Sequence, residues 1–177
     1  MDQEKMFVDV GAGWGDKFIQ RAKDNPRQKF VVIDPDATNI RNKKSWPPNL
    51  TWIVGRVDEK SFLPLAENTV DEINMDYVLC FLHGEETGSD EEFLIKASEI
   101  LRRAILPLKK GKDLIIRESS YMVEFIKPVL EKIGLSFSIN AIKPEVALEH
   151  SESTRDAALE FLSGEPKIQP FEIRITK

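Results

Sequence analysis

The chain has 177 residues, 41% hydrophobic and 31% charged, which supports one folded domain over residues 1–177 and excludes wholesale disorder. No apolar run reaches the roughly 20 residues that span a bilayer, and no basic start with an apolar stretch reads as a secretion signal, so a cytoplasmic protein without a membrane partner is expected. Its 25 Lys plus Arg against 30 Asp plus Glu give a formal charge of −5, which argues against a broad nucleic-acid footprint and against DNA as a partner.

In chain order, "MFVDV" at Met6 to Val10 is a short β-prone run broken by glycines, and Phe18, Ile19 and Ala22 then recur at helical spacing until Pro26. "FVVI" at Phe30 to Ile33 is a second buried-type strand, ending in the turn residues Asp34, Pro35 and Asp36. "LTWIV" at Leu50 to Val54 and "VDEINM" at Val70 to Met75 predict the third and fourth strands. Ser89 followed by Glu92 is a capping box, and Phe93, Ala97, Ile100, Leu101, Ala104 and Ile105 trace one helix face. Lys110 and Gly111 stop that helix, and Leu114 to Ile116 form a fifth strand.

A helix through Phe125, Ile126, Val129, Leu130 and Ile133 ends at Gly134, with Pro128 marking a kink or the true start. Leu135, Phe137, Ile139 and Ala141, then Phe171, Ile173 and Ile175, alternate with polar residues, the signature of strands with one drier face. Between them Ser153 to Ser163 predicts a helix stopped by Gly164. The pattern predicts an α/β fold: a Rossmann-like doubly wound sheet, mostly parallel, with an antiparallel C-terminal edge strand pair.

The single cysteine, Cys80, permits no internal disulfide and suits a small buried residue in a reducing compartment. Two basic groups, Arg41, Lys43 and Lys44 beside Trp46 and Lys109, Lys110 and Lys112, read as solvated faces, with a small nucleic-acid patch as the alternative. No metal site is expected.

The stretch "VDVGAGWGD" places Gly11, Gly13 and Gly15 directly behind the first strand. In an open parallel sheet that is where a ligand lies across the strand ends, and missing Cβ atoms let it approach the main chain. The spacing is G-x-G-x-G, neither the dinucleotide G-x-G-x-x-G nor a phosphate-binding G-x-x-x-x-G-K-[ST].

The order "VDVGAGWG", "VVIDPD", "FLPLAENTVDEINMDYVLCFLH" and "LKKGKDLII" resembles the class I S-adenosylmethionine-dependent methyltransferases from Phe7 to about Glu118. The resemblance implies that Asp9, Gly11, Ala12, Gly13 and Gly15 form a loop beside the cofactor's methionine and ribose. It implies that Asp34, followed by Pro35, holds the ribose, since a carboxylate accepts both protons of a diol. Trp14 would wall the methionine pocket or pack on the next helix. Where that family carries an acid after the third strand, this chain has Arg56; Val57 packing on the adenine, or Asp58 taking the acid's part, are the two readings. Asp76 and Tyr77 fall where methyl donor and acceptor meet. Asp76 is the first candidate for a general base and His83 the second.

"RAKDNPRQKFVVID" and "TRDAALEFLSGEPKI" resemble bacterial tRNA guanine-N7 methyltransferases, although "PDPWPK" is replaced by "MDYVLCFLH" and Ala157 stands where an acid follows the tail's threonine. "IDPDATN" followed by "LPL" resembles ribosomal adenine methyltransferases of aminoglycoside resistance, without evident aromatic residues to clamp a flipped base. The sequence opens almost on its first strand, so the resemblance implies a cofactor site without the N-terminal cover common in relatives. The implied activity is methyl transfer by in-line displacement to a small molecule or RNA, from a possible homodimer. A catalytically degenerate binding module and a nicotinamide-dependent oxidoreductase are the alternatives.

Overall fold

A computed structural model of the chain describes residues 4–11, 16–35, 46–55, 65–83, 87–143 and 169–177. The elements are β1 (Met6–Val10), α1 (Asp16–Asp24), β2 (Lys29–Asp34), β3 (Leu50–Val54), β4 (Val70–Asp76), α2 (Val78–Phe81), α3 (Asp90–Ile105), β5 (Leu108–Ser119), α4 (Ser120–Ile133), β6 (Phe137–Ala141) and β7 (Pro170–Thr176). They build a seven-stranded sheet in the order β3-β2-β1-β4-β5-β7-β6. β1 to β5 run parallel, whereas β7 is antiparallel to both β5 and β6.

Side-chain alternation divides the core between the two faces of this sheet. Phe30, Val32 and Leu50 meet Phe18 and Ala22 of α1 on one face. On the other, Val8, Val10, Val31, Ile33, Ile73, Met75, Leu114 and Ile116 meet α3 and α4 through residues such as Phe93, Leu101, Met122 and Ile126. Burial of each such side chain contributes about 1.5–3 kcal/mol, so the α3/α4 face is the main stabiliser.

α3 begins where its capping box predicts: Ser89 Oγ accepts from the Glu92 amide, and Glu92 Oε2 from that of Gly88. Its stop comes earlier than the lysines, because β5 starts at Leu108 and carries Lys109 to Lys112 as strand. A register shift between Val70 and Glu72 and a positive φ at Gly111 absorb that extension. α4 runs unbroken through Pro128. Pro128 and Glu124, the residue that loses its amide partner there, are both exposed, so water can serve the freed carbonyl. The expected helix at Ser153 to Ser163 lies outside the described residues. Among those described, no helix is long and apolar enough to cross a membrane.

Candidate functional site

The strand order turns around at β1, whose neighbours are β2 on one side and β4 on the other. Ligands of open α/β sheets bind beyond the strand ends at such a reversal. Three acids occupy it: Asp9 on β1, Asp34 at the end of β2 and Asp76 at the end of β4. Asp34 and Asp76 are buried, 5% and 7% exposed. The carboxyl of Asp9 is pushed well above the usual aspartate range, first by desolvation and then by the charge of Asp76, while Arg117 and Arg21 oppose and Asp34 adds to the rise. The three acids thus feel one another, but they do not converge as a metal site among the described residues.

Arg117 on β5 supplies the counter-charge. It pairs with Asp76 across the parallel register and donates from Nη1 to Asp76 Oδ1 at 2.9 Å and to Asn74 Oδ1 at 3.1 Å. Its Nη2 reaches Glu172 on β7 at 3.4 Å. From α1, Arg21 bonds Glu72 at 2.7 Å, lying over the ring of Phe7 with 4.2 Å to its centroid. Glu72 Oε1 also accepts from Asn74. Glu72, Asn74 and Asp76 alternate with the buried Ile73 and Met75, so a continuous polar network lines the α1 side of the sheet toward its carboxyl edge.

Gly11, the first residue beyond β1, has φ +72°, and a Cβ there would stand 2.7 Å from Val78 Cγ2 and 3.5 Å from the Asp76 carbonyl oxygen. Its amide donates to the Ile33 carbonyl at 2.8 Å. The first glycine of "GAGWG" is therefore required by the protein's own packing: Gly11 lies directly against the turn after β4. Ala12, Gly13, Trp14, Gly15, Arg56, Val57 and Asp58, and the basic residues Arg41, Lys43 and Lys44, lie outside the described residues. Pro35 is exposed beside Asp34, and the amide of Gly55 donates to the Asp34 carbonyl at 3.1 Å.

The β4 turn itself is unusual. Tyr77 takes the left-handed conformation, φ 57° and ψ 24°, and forms the N-cap of α2 without a side-chain cap bond. Its amide donates to the Arg117 carbonyl, and its own carbonyl accepts from Cys80 Sγ at 3.0 Å, which makes the half-buried Cys80 part of the turn. The cap is supplied from elsewhere: Glu118 Oε1 accepts from the amides of Leu79 at 2.8 Å and Cys80 at 3.3 Å. Glu118 is fully buried, and its carboxyl is pushed up to about 8, by burial first, against the pull of the two amides and of the Cys80 thiol, with Asp76 adding to the rise. Next along the chain, Tyr121 on the first turn of α4 is half exposed.

His83 is not gathered with the acids. Its Nε2 lies 3.3 Å from Asp90 Oδ1, and its ring packs edge-on against Phe93 and tilted over Phe125, between α3 and α4. The residues that sequence reading passed over are Arg117, Glu118, Asn74 and Arg21. The signal for the first two was present, since "DLIIRE" ends a continuous apolar run on two opposite charges that a buried strand must place on opposite faces. Lys109, Lys110 and Lys112 occupy the start of β5, the pole opposite to Glu118, where Lys109 bonds Asp71 at 2.7 Å.

The architecture has close counterparts among solved structures. The 16S rRNA methyltransferase KamB superposes with a TM-score of 0.65 at 17% identity, over 98% of this chain and 87% of that one. A phosphoethanolamine N-methyltransferase 2 from Haemonchus contortus, in complex with S-adenosyl-L-methionine, gives 0.64 at 15% identity, over 99% of this chain and 49% of that one. A SAM-dependent methyltransferase from Archaeoglobus fulgidus gives 0.60 at 15%, over 98% and 86%. The fold is the class I methyltransferase fold. No family model and no curated protein matches the sequence. In this methyltransferase fold the acids, Gly11 and the Tyr77 turn all stand at the carboxyl edge of the sheet, and the β5 lysines do not.

Proposed function

We propose that the protein is an S-adenosylmethionine-dependent methyltransferase whose donor lies across the ends of β1, β2 and β4. The observation that carries this is the set of acids, Asp9, Asp34 and Asp76, on three adjacent strands around a glycine turn, answered among the described residues by Arg117 and Arg21. Such a rim favours a ligand bearing positive charge and a diol. S-adenosylmethionine has an ammonium, a sulfonium and a ribose. A nicotinamide dinucleotide would bring its pyrophosphate to the same acids, and the glycine spacing does not answer it.

When bound, S-adenosylmethionine supplies a methyl group already activated by its sulfonium. What remains for the chain is to hold, orient and keep dry. Asp34 accepts hydrogen bonds from the two ribose hydroxyls; Asp76 compensates positive charge nearby, and that positive charge in turn draws the raised Asp9 toward its ionised form. Arg117 pins Asp76 through Oδ1, so its Oδ2 is the atom offered to the crevice, where it takes a proton from an acceptor that has one to lose. Asp76 stands before His83 in that role, because His83 is tethered to Asp90 and packed between two phenylalanines. Trp14, Val57 and Asp58 complete the methionine and adenine pockets in this reading.

The acceptor is a small molecule or RNA, the classes named for the phosphoethanolamine and ribosomal enzymes of like fold. The resemblance to tRNA guanine-N7 enzymes has no specific support among them. Calorimetric titration with S-adenosylmethionine and S-adenosylhomocysteine tests the donor site: micromolar binding is expected, and absence of heat with both refutes the proposal. Incubation with radiolabelled donor and fractionated cell extract then shows whether RNA, protein or small metabolites take up label. Donor binding without any labelled acceptor would favour the degenerate binding module instead.

A further inference from the structure

We infer that Glu118 is a positioning residue of this site, a buried clamp that sets the Asp76–Tyr77 turn, and through it the glycine loop, by holding the leading amides of α2. The inference rests on the methyl-donor reading of the crevice. A tyrosine at φ 57° is held only when its surroundings over-determine it. Tyr77 offers no side-chain acceptor to the amides of its own short helix, and Glu118 takes those of Leu79 and Cys80 from the neighbouring strand. The same turn presses Val78 onto Gly11, with no room for even a methyl group between them. A shift of α2 therefore moves the backbone on which the donor rests.

The clamp is sensitive to charge. Glu118 Oε2 is buried without a hydrogen-bond partner among the described residues. Among the described residues, the titratable groups whose charge or hydrogen bonding bears on the carboxyl are Asp76 through the sheet, Cys80 from α2 and Tyr121 from α4, none of them a cation. Arg117, its neighbour on β5, is turned to the opposite face, toward Asp76. Ionised Glu118 would hold its charge in a buried site, with Oε1 bonded to the two amides and Oε2 without a partner among the described residues. Burial favours the neutral acid and outweighs the two amides and the Cys80 thiol, which favour the carboxylate.

The test titrates S-adenosylhomocysteine into the full chain between pH 6 and pH 9.5, for wild type, Glu118→Gln and Glu118→Ala. The ligand's own amine titrates identically in all three. Glu118→Gln reproduces the shape and hydrogen bonding of the neutral acid. Wild type is expected to bind about tenfold more weakly at pH 9 than at pH 7 beyond the loss seen in Glu118→Gln, and Glu118→Ala to bind weakly throughout. A Gln variant that loses affinity in step with wild type, or an Ala variant that binds like wild type, overturns the clamp. Should Glu118→Ala not fold, the Gln comparison decides alone. Amide exchange at Leu79 and Cys80 in ligand-free protein, corrected for intrinsic rates, separates the two ideas. Protection lost above pH 8 only in wild type supports the clamp even if no ligand binds, in which case the donor reading alone fails; equal protection in both refutes the clamp.

Discussion

Gly11 and Val78 meet so closely that a Cβ on the glycine would stand 2.7 Å from Cγ2 of the valine. Gly111 has the same φ, +72°, with nothing within 4 Å of its added Cβ. The pair separates backbone strain from steric conflict. Gly111→Ala is expected to cost about 1–2 kcal/mol, and Gly11→Ala a further ~1–3 kcal/mol, with a loss of donor affinity that Gly111→Ala does not share. Chemical denaturation and calorimetry measure both. Equal costs would mean that the turn after β4 yields freely.

Asp34 is proposed to take both ribose hydroxyls, and hydrogen bonds to a charged acceptor are worth about 1.5–3 kcal/mol each. Asp34→Ala should weaken S-adenosylhomocysteine binding by roughly a hundredfold or more. Asp34→Asn, keeping one acceptor oxygen, should fall between. Undiminished binding by Asp34→Ala would remove the ribose assignment.

Arg117 and Asp76 form a desolvated pair, with side chains 11% and 6% exposed. Arg117→Met should destabilise the fold by about 3–5 kcal/mol, since it strands the Asp76 charge. Combining it with Asp76→Asn should restore a good part of that loss, a coupling that a double-mutant cycle in denaturant reads directly. Simple additivity of the two changes would show that the pair is not coupled.

Glu118 also makes stability depend on pH. Its folded-state value lies near 8, above the ordinary glutamate range, so between those limits the folded chain holds a proton that the unfolded chain has released. Stability from this group is complete at the acid end of the window and falls with rising pH, by at most about 1.4 kcal/mol per pH unit. The raised Asp9 acts in the same direction. Unfolding midpoints should drop from pH 5 to pH 8 and flatten partly in Glu118→Gln; an unchanged slope in that variant would contradict the burial argument.

Much of this architecture was legible in the sequence, because strands buried on both faces leave continuous apolar runs and Ser89 with Glu92 marks a helix start. The strand order was legible only through the resemblance: nothing local to Phe171, Ile173 and Ile175 says that β7 enters between β5 and β6. The early start of β5 was hidden by Lys109, Lys110 and Lys112, which a strand tolerates where it extends past its neighbours. The role of Glu118 was hidden for another reason. Its burial is imposed by α2 and α4, and its partners are backbone amides, which no side-chain pattern advertises. α2, with four residues, is too short for any periodicity.

The placement of β7 has a consequence for synthesis. As the ribosome delivers the chain in order, β6 emerges without its partner among the described strands, and β5 without its β7 partner, until the segment from Pro170 follows. A nascent or truncated chain ending before that segment would carry two unsatisfied edges, the template on which other chains aggregate. Completion of the sheet thus awaits the seventh strand, and chaperone dependence should be concentrated in that interval of translation.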